Sequence, residues 1–489
     1  MKKIYAIISF IVCVLPMGTC VAYDLVGTAA LSEALVAQHY TINPNLDAVI
    51  VVDRTAPTFE YQTYYSAGAA DEVEGQHGRI HFLEHIMSGD GSPTPGKLSQ
   101  IIANNDGEKN AFTTNHFMYL KLKFPREKFD LAVEIDRDRF YNTLINEKVV
   151  ELEKKIILIE RSRRVASTPR RFSNYFFGLI YGKKNFDGLG TEAFVKQLTP
   201  DDLKDYYENF LRRQKRLVVV IGDVDVDHVL TKLDEAYGNE QISSGVSIKT
   251  YSSQIPNREV LGRRLKRTSK GLSVTRFRKG WYTPDLSHRD YAALLILTRL
   301  LGKPSNSLWS NVLDSKLASV FKVGLYSDKG FGLMHCSAEL PHDTSRNRLH
   351  GLIRAELEKL KSISEEDLNA ARNRLLRTLY SEFYDHSRLA FFFGQAFAHA
   401  NDPLLYPKLF KSIKSIHRED IPRIIDQYLT DDNSITLSLT LPTKEIPTPR
   451  TPLHYGIVIL TLAGFLTLLV WGGKKLHRKS SRKANESCS

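Results

Sequence analysis

The run His81-Phe82-Leu83-Glu84-His85 puts two imidazoles and a carboxylate within five residues. On a helix each residue turns the chain by about 100°, so His81 and His85 fall about 40° apart on one face, with Glu84 beside them. Two imidazoles so placed can share one metal ion. Metal-assisted hydrolysis needs such nitrogen ligands, an open coordination position for water, and a nearby carboxylate to take the water's proton. Glu84 is placed for that last task. With 15 histidines in the chain, a chance H-x-x-E-H is a real hazard, so the motif needs a third ligand from elsewhere.

Residues 147–164 are the place to look. Plotted at about 100° per residue, Val149, Val150, Leu152, Ile156, Ile157 and Ile159 share one arc, while Glu151, Lys154 and Lys155 fall opposite and Leu158 is the one apolar residue on the charged side. This pattern predicts a helix with its apolar arc on the core. Glu153 and Glu160, seven residues apart and so within about 20° of each other, land inside that arc. Burying an unpaired carboxylate costs several kcal/mol or forces it to take up a proton. Inward carboxylates at this spacing therefore meet a cation or a dense hydrogen-bond network.

The set His81, Glu84, His85, Glu153 and Glu160 resembles the inverted-zincin peptidases of the pitrilysin, insulinase and mitochondrial processing peptidase family. Residues 48–53 and the stretch from Tyr65 through Glu72 are similar to that family's opening strands, Asn110, Ala111, Phe112 and Thr113 to its edge strand, and residues 217–223 to the strand closing its first half. The resemblance implies one zinc ion per chain held by His81, His85 and Glu160, with Glu84 as general base and Glu153 as a carboxylate orienting a ligand. It also implies that the edge around Asn110, Ala111, Phe112 and Thr113 holds an extended peptide by main-chain pairing. The expected reaction is hydrolysis of peptide bonds in extended peptides or small unfolded proteins.

One departure stands out. Members of the family resemble one another in a small-polar, Arg, Tyr pattern in the second half, which grips the peptide and stabilises the reacting carbonyl. Aligned to that pattern, this chain has Leu313 in place of the arginine and Ser319 in place of the tyrosine, with Lys316, Lys322 and Tyr326 nearby. The chain is similar to bacterial relatives that divide zinc and grip between two subunits. The expected partner is thus a second family subunit supplying Arg and Tyr, or a second copy in a homodimer. The alternative is a catalytically weak or inactive peptide-binding or assembly subunit.

The surrounding sequence predicts how these residues are carried. Lys2 and Lys3, an apolar stretch and a small-residue site ending at Ala22 read as a signal peptide over residues 1–22. Residues 455–473 carry no charge, with Tyr455 and Trp471 near the ends, and read as a transmembrane helix; the basic tail 474–489 is expected to be cytoplasmic. The body is then exported, on the periplasmic side of an inner membrane, after a Pro-rich linker over 444–454. Of the formal charge of +12, the leader contributes Lys2 and Lys3 and the tail six Lys or Arg against Glu486, leaving +5 for the exported body. Export and the lack of a nucleic-acid-binding motif argue for a solvated face or an acidic peptide partner rather than nucleic acid. A segment resembling residues 199–210 and the strand after it recurs at 417–428. The expected fold is α+β, with two homologous halves, each a mainly antiparallel sheet backed by helices: a zinc-bearing half over 23–238, a connection over 239–276, and a second half without metal over 277–443.

Overall fold

The computed structural model describes residues 23–441, apart from 74, 90–96, 183–187, 241–255, 270, 303–306 and 342–344. The expected signal peptide and the expected transmembrane helix at 455–473 lie outside the described residues. Among those described, no helix is long and apolar enough to cross a membrane.

Two sheets organise the chain. The first is built from β1 (Asp24–Ala30), β2 (Val36–Asn43), β3 (Leu46–Val52), β4 (Thr58–Tyr65), β5 (Glu108–Thr113), β6 (Met118–Pro125) and β7 (Arg216–Gly222), in the order β1-β2-β3-β7-β4-β6-β5. The second contains β8 (Arg264–Thr268), β9 (Thr275–Thr283), β10 (Val320–Ser327), β11 (Gly332–Leu340) and β12 (Ser434–Thr440), in the order β10-β11-β9-β12-β8. The two share one plan. In each, a late central strand lies parallel to one neighbour and antiparallel to the other: β7 between β3 and β4, β12 between β8 and β9. A helix leads into each late strand, Pro200–Asn209 before β7 and Asp420–Tyr428 before β12. Residues 264–268, expected to belong to the polar connection, instead form edge strand β8. Their exposed Lys and Arg side chains made them read as linker, but a charged edge is what keeps a strand's open side from pairing with other chains.

The central strands explain how the halves meet. From Leu217 to Ile221, β7 is an unbroken run of apolar, largely β-branched residues because it is covered on both faces. Val218 and Val220 face the layer that contains the motif helix Arg79–Ser88 and the helix Phe129–Tyr141. Leu217, Val219 and Ile221 face the opposite way, into a core shared with the helix His386–Ala400 of the second half, through Phe393 and Phe397. The expected absence of metal chemistry from the second half therefore does not make it separable, since it covers one face of the first sheet. At the closest point Gly394 lies against the ring of Tyr64, where a Cβ would overlap the aromatic carbons. Replacing Gly394 with Ala is expected to cost about 1–3 kcal/mol by overpacking, read as a lower urea midpoint at unchanged slope.

Candidate metal centre

The motif residues lie on the helix Arg79–Ser88, as the spacing predicts. Its start is fixed by Gly78, whose left-handed backbone (φ 115°) suits glycine, and whose Cβ, if present, would meet the carbonyl oxygen of Leu189 at 2.8 Å. The buried carboxylate of Glu72 accepts from the backbone N–H groups of Gly78 (2.8 Å) and Ile80 (3.0 Å), satisfying donors that the first turn leaves open. Burial raises the Glu72 carboxyl to about 7, against those same hydrogen bonds. Sequence reasoning grouped Glu72 with the opening strands and missed this capping task. Its separation from the helix start is too long for a capping-box pattern to reveal it.

The carboxylates come from the helix Glu147–Ala166, capped by the Asn146 side chain on the N–H of Val149. Its inner face carries Val149, Val150, Glu153 and Ile157. The predicted arc is wrong on one flank: Leu152, Ile156 and Ile159 are 39, 42 and 53 % exposed, whereas Leu158 packs against the first core. Side-chain hydrophobicity placed the arc's centre, but neighbours decide it. The helix Glu192–Gln197 packs against this helix, and the carbonyl of Gly190 just before it accepts from Arg161, whereas among the described residues the other flank is left open.

Packing of the two helices brings three donors together. Nε2 of His81 and Nε2 of His85 each lie 3.5 Å from Oε2 of Glu160, and a donor atom from each of the three residues lies within 4.8 Å of the others. Two ligands on a tetrahedral ion bonded at ~2.0–2.1 Å stand ~3.3–3.4 Å apart, so this donor set fits one zinc ion with little movement. Glu153 is buried, and its Oε2 lies 3.1 Å from Nδ1 of His85, leaving Nε2 to face the donor cluster. Arg164 donates to the other oxygen of Glu160 at 2.8 Å, which holds Oε2 toward the imidazoles.

The electrostatics separate the two histidines. Burial and the neighbouring His85 push His81 down to about 3, so it is neutral and free to donate a lone pair. Burial opposes charge on His85 as well, but its hydrogen bonds with Glu153 and Glu160 win and raise it to about 9. The hydrogen bond with His85, together with His81 and Arg164, outweighs burial at Glu160 and holds it ionised, at about 2.

Glu84 points into the same space from the motif helix. It is buried, which raises its carboxyl above the ordinary range, and it accepts a 2.6 Å hydrogen bond from the hydroxyl of Thr113, which opposes that rise. Asn110, Ala111, Phe112 and Thr113 lie on β5, the outermost strand of the first sheet, paired in register with β6 on one side only. Asn110 and Phe112 are exposed, but the hydroxyl of Thr113 is committed to Glu84, a contact that sequence reasoning did not foresee. In the second half, Leu313 lies in a short π-helical turn (Ser310–Asp314) and packs on the core, and Ser319 bonds to the carbonyl of Glu339. Tyr326 is tied down too: its hydroxyl accepts from Asn115 (3.0 Å) and donates to Asp328 (3.1 Å).

Comparisons with known proteins agree with this arrangement. Residues 48–175 match the Insulinase (Peptidase family M16) family and residues 197–375 match the Peptidase M16 inactive domain. The zinc protease PqqE of Helicobacter pylori is 23% identical over 430 residues, covering 84% of this chain and 95% of that protein. Human mitochondrial-processing peptidase subunit beta is 22% identical over 407 residues, covering 78% and 80%. The crystal structure of a protease from Helicobacter pylori has the same fold, with a TM-score of 0.74, 21% identity and coverage of 83% of this chain and 99% of that one.

The charge on metal-free His85 has a measurable consequence. A ligand must be neutral, so zinc uptake near pH 7 is expected to release about one proton from this group, and affinity should fall as pH drops below about 9. Calorimetry in buffers of different ionisation enthalpy measures the proton count, and Glu153→Gln should lower both the count and, by about 10- to 100-fold, the affinity. With the inverted motif, the repeated sheet plan and family matches in both halves, the chain belongs to the M16 peptidase family, with the pitrilysin and insulinase fold.

Proposed function

We propose that this chain is a zinc metallopeptidase that hydrolyses extended peptides. The observation that carries this reading is the convergence of His81, His85 and Glu160, with donor atoms within 4.8 Å of one another, beside a buried, hydrogen-bonded Glu84. His81, His85 and Glu160 would hold the ion, which supplies Lewis acidity toward water and a peptide carbonyl when bound.

The remaining work falls to the chain's own groups. Glu84 takes the proton of the attacking water and returns it to the departing amine. Burial raises its carboxyl above the ordinary carboxylate range, which strengthens it as a base. Thr113 holds one Glu84 oxygen in place and limits how far burial lifts its pKa. Glu153 keeps the His85 ring oriented. The free edge of β5 offers main-chain groups to an extended peptide, and it ends at Thr113, so a bound strand is delivered to the base.

The same reading includes a partner and an address. Leu313 and Ser319 leave the chain without the expected Arg and Tyr, and a relative's name identifies it as a subunit, so a second family subunit or a second copy completes the site. The charged leader and the apolar segment at 455–473 support an exported body tethered to the inner membrane. A second reading, an inactive peptide-binding subunit, is favoured by the same missing pair.

Purified chain loaded with zinc is expected to cleave unstructured peptides, and Glu84→Gln to lower turnover by about 10²–10⁴ with zinc retained. Zinc-loaded protein that cleaves nothing, alone or with a family partner, would establish the second reading instead. Thr113→Val removes the hydrogen bond that lowers the Glu84 pKa. The acidic limb of the kcat/KM profile should therefore move to higher pH, and a limb that stays put would place the base elsewhere.

A further inference from the structure

Arg278, on β9, carries a charge that no carboxylate among the described residues answers. Its Nε donates to the hydroxyl of Ser337 (3.0 Å), and one terminal nitrogen lies 3.4 Å from the hydroxyl of Ser173. Its guanidinium lies against the rings of Phe172, Phe176 and Phe177 on the helix Thr168–Ile180. No carboxylate pairs with it among the described residues, and burial alone pushes it down to about 10. Glu339, on the neighbouring strand, is engaged by Arg276. Register places Lys322, Ser337 and Arg278 in one row across β10, β11 and β9, so an exposed second cation stands on the same face. Both hydroxyls are half-buried, so the spot is reachable from solvent. Cation–π contact with three rings recovers part of the cost of desolvating a guanidinium but supplies no acceptor for its remaining N–H groups.

The position connects to the candidate metal centre through contacts already described. Thr113, which holds Glu84, ends β5; two residues on, Asn115 donates to Tyr326. The Tyr326 ring lies 5.1 Å from Phe177, which lies against Arg278. These contacts link Arg278 to the Thr113 end of β5.

We propose that Arg278, with Lys322 at its flank, is a carboxylate-binding subsite that selects peptides bearing a negative charge beyond the segment held by β5. This rests on the reading of the chain as a peptide-binding hydrolase. A guanidinium offers paired donors in one plane, matched to the two oxygens of a carboxylate, and a half-dry setting strengthens such a pair. The carboxylate comes either from an Asp or Glu side chain or from the free end of the peptide.

The test uses full-length zinc-loaded chain carrying Glu84→Gln, so that binding is read without turnover. Unstructured peptides bearing an uncharged dansyl label differ only in Glu against Gln along their length, and each is made with a free and an amidated C-terminus. Peptides with a carboxylate are expected to bind about tenfold or more tightly than the fully neutral one; the Glu/Gln pairs and the acid/amide pairs separate the two sources. Arg278→Met should bring that ratio to one, and Arg278→Lys should leave part of it. Equal binding of all four peptides overturns the proposal however the variants fold, as does a ratio that survives Arg278→Met with an unchanged melting temperature. If Arg278→Met does not fold, Arg278→Lys decides: a reduced ratio supports the subsite and an unchanged one removes it. Absence of cleavage by the chain without Glu84→Gln counts against the hydrolase reading and leaves the binding ratios to judge the subsite.

Discussion

One oxygen, Oε2 of Glu160, faces the Nε2 atoms of two imidazoles on a different helix, and the placement of the candidate site follows from that meeting. Such a cluster cannot be built within one element. A helix can present two histidines at i and i+4 on one face, but the third donor must come from a neighbour held at a fixed angle and distance. The supports serve that requirement. Arg164 takes the spare oxygen of Glu160, Glu153 takes the spare nitrogen of His85, and Glu72 fastens the motif helix at its start. Without metal, the arrangement is a compact set of charge pairs in which His85 carries a proton that the ion would replace. The chain's own groups therefore hold the candidate site together.

The second half supplies what the first sheet lacks. β7 and β3 carry apolar residues on both faces and need cover on both, and the helix His386–Ala400 gives it on the side away from the motif helix. The two sheets repeat one strand plan, so the outer strand of each, β5 and β10, occupies the same place. Asn115 and Tyr326 join their ends, and His116 pairs with Asp328 beside them. The bond across the halves thus lies next to the strand expected to hold substrate. The half without metal ligands thus covers one face of the first sheet and fixes the end of β5 beside the candidate site.

Much of this was legible in the chain. His81, Glu84 and His85 were readable because helical spacing is rigid: once the run is a helix, its side chains share a face whatever surrounds it. Glu153 and Glu160 were readable because acidic residues in an apolar arc are costly unless answered. The arc itself was only half right. Leu152, Ile156 and Ile159 are as apolar as Ile157 but exposed, because burial depends on which neighbour arrives and not on the residue's own character. Thr113 was legible as part of an edge strand, yet its hydrogen bond to Glu84 spans 29 positions and leaves no local trace. Strand β8 was hidden for the opposite reason. An exposed edge gains its stability from pairing with β12, far away in sequence, and its own side chains look like a linker.

The sequence alone determined the local chemistry: which residues lie on one helical face, which strands are covered twice, and that Glu153 has to point inward, whereas Glu160 stays partly exposed. These follow from backbone geometry and the cost of burying charge, and neither needs a partner to be known. The tertiary structure decided everything that depends on two distant segments meeting. It chose Glu160 over Glu153 to face both imidazoles, gave Glu84 its hydroxyl, set the protonation of His85 against that of His81, and left Arg278 without a carboxylate partner among the described residues. Electrostatic energies depend on distances of a few ångströms between groups remote in the chain, and those distances exist only once the helices and sheets have packed.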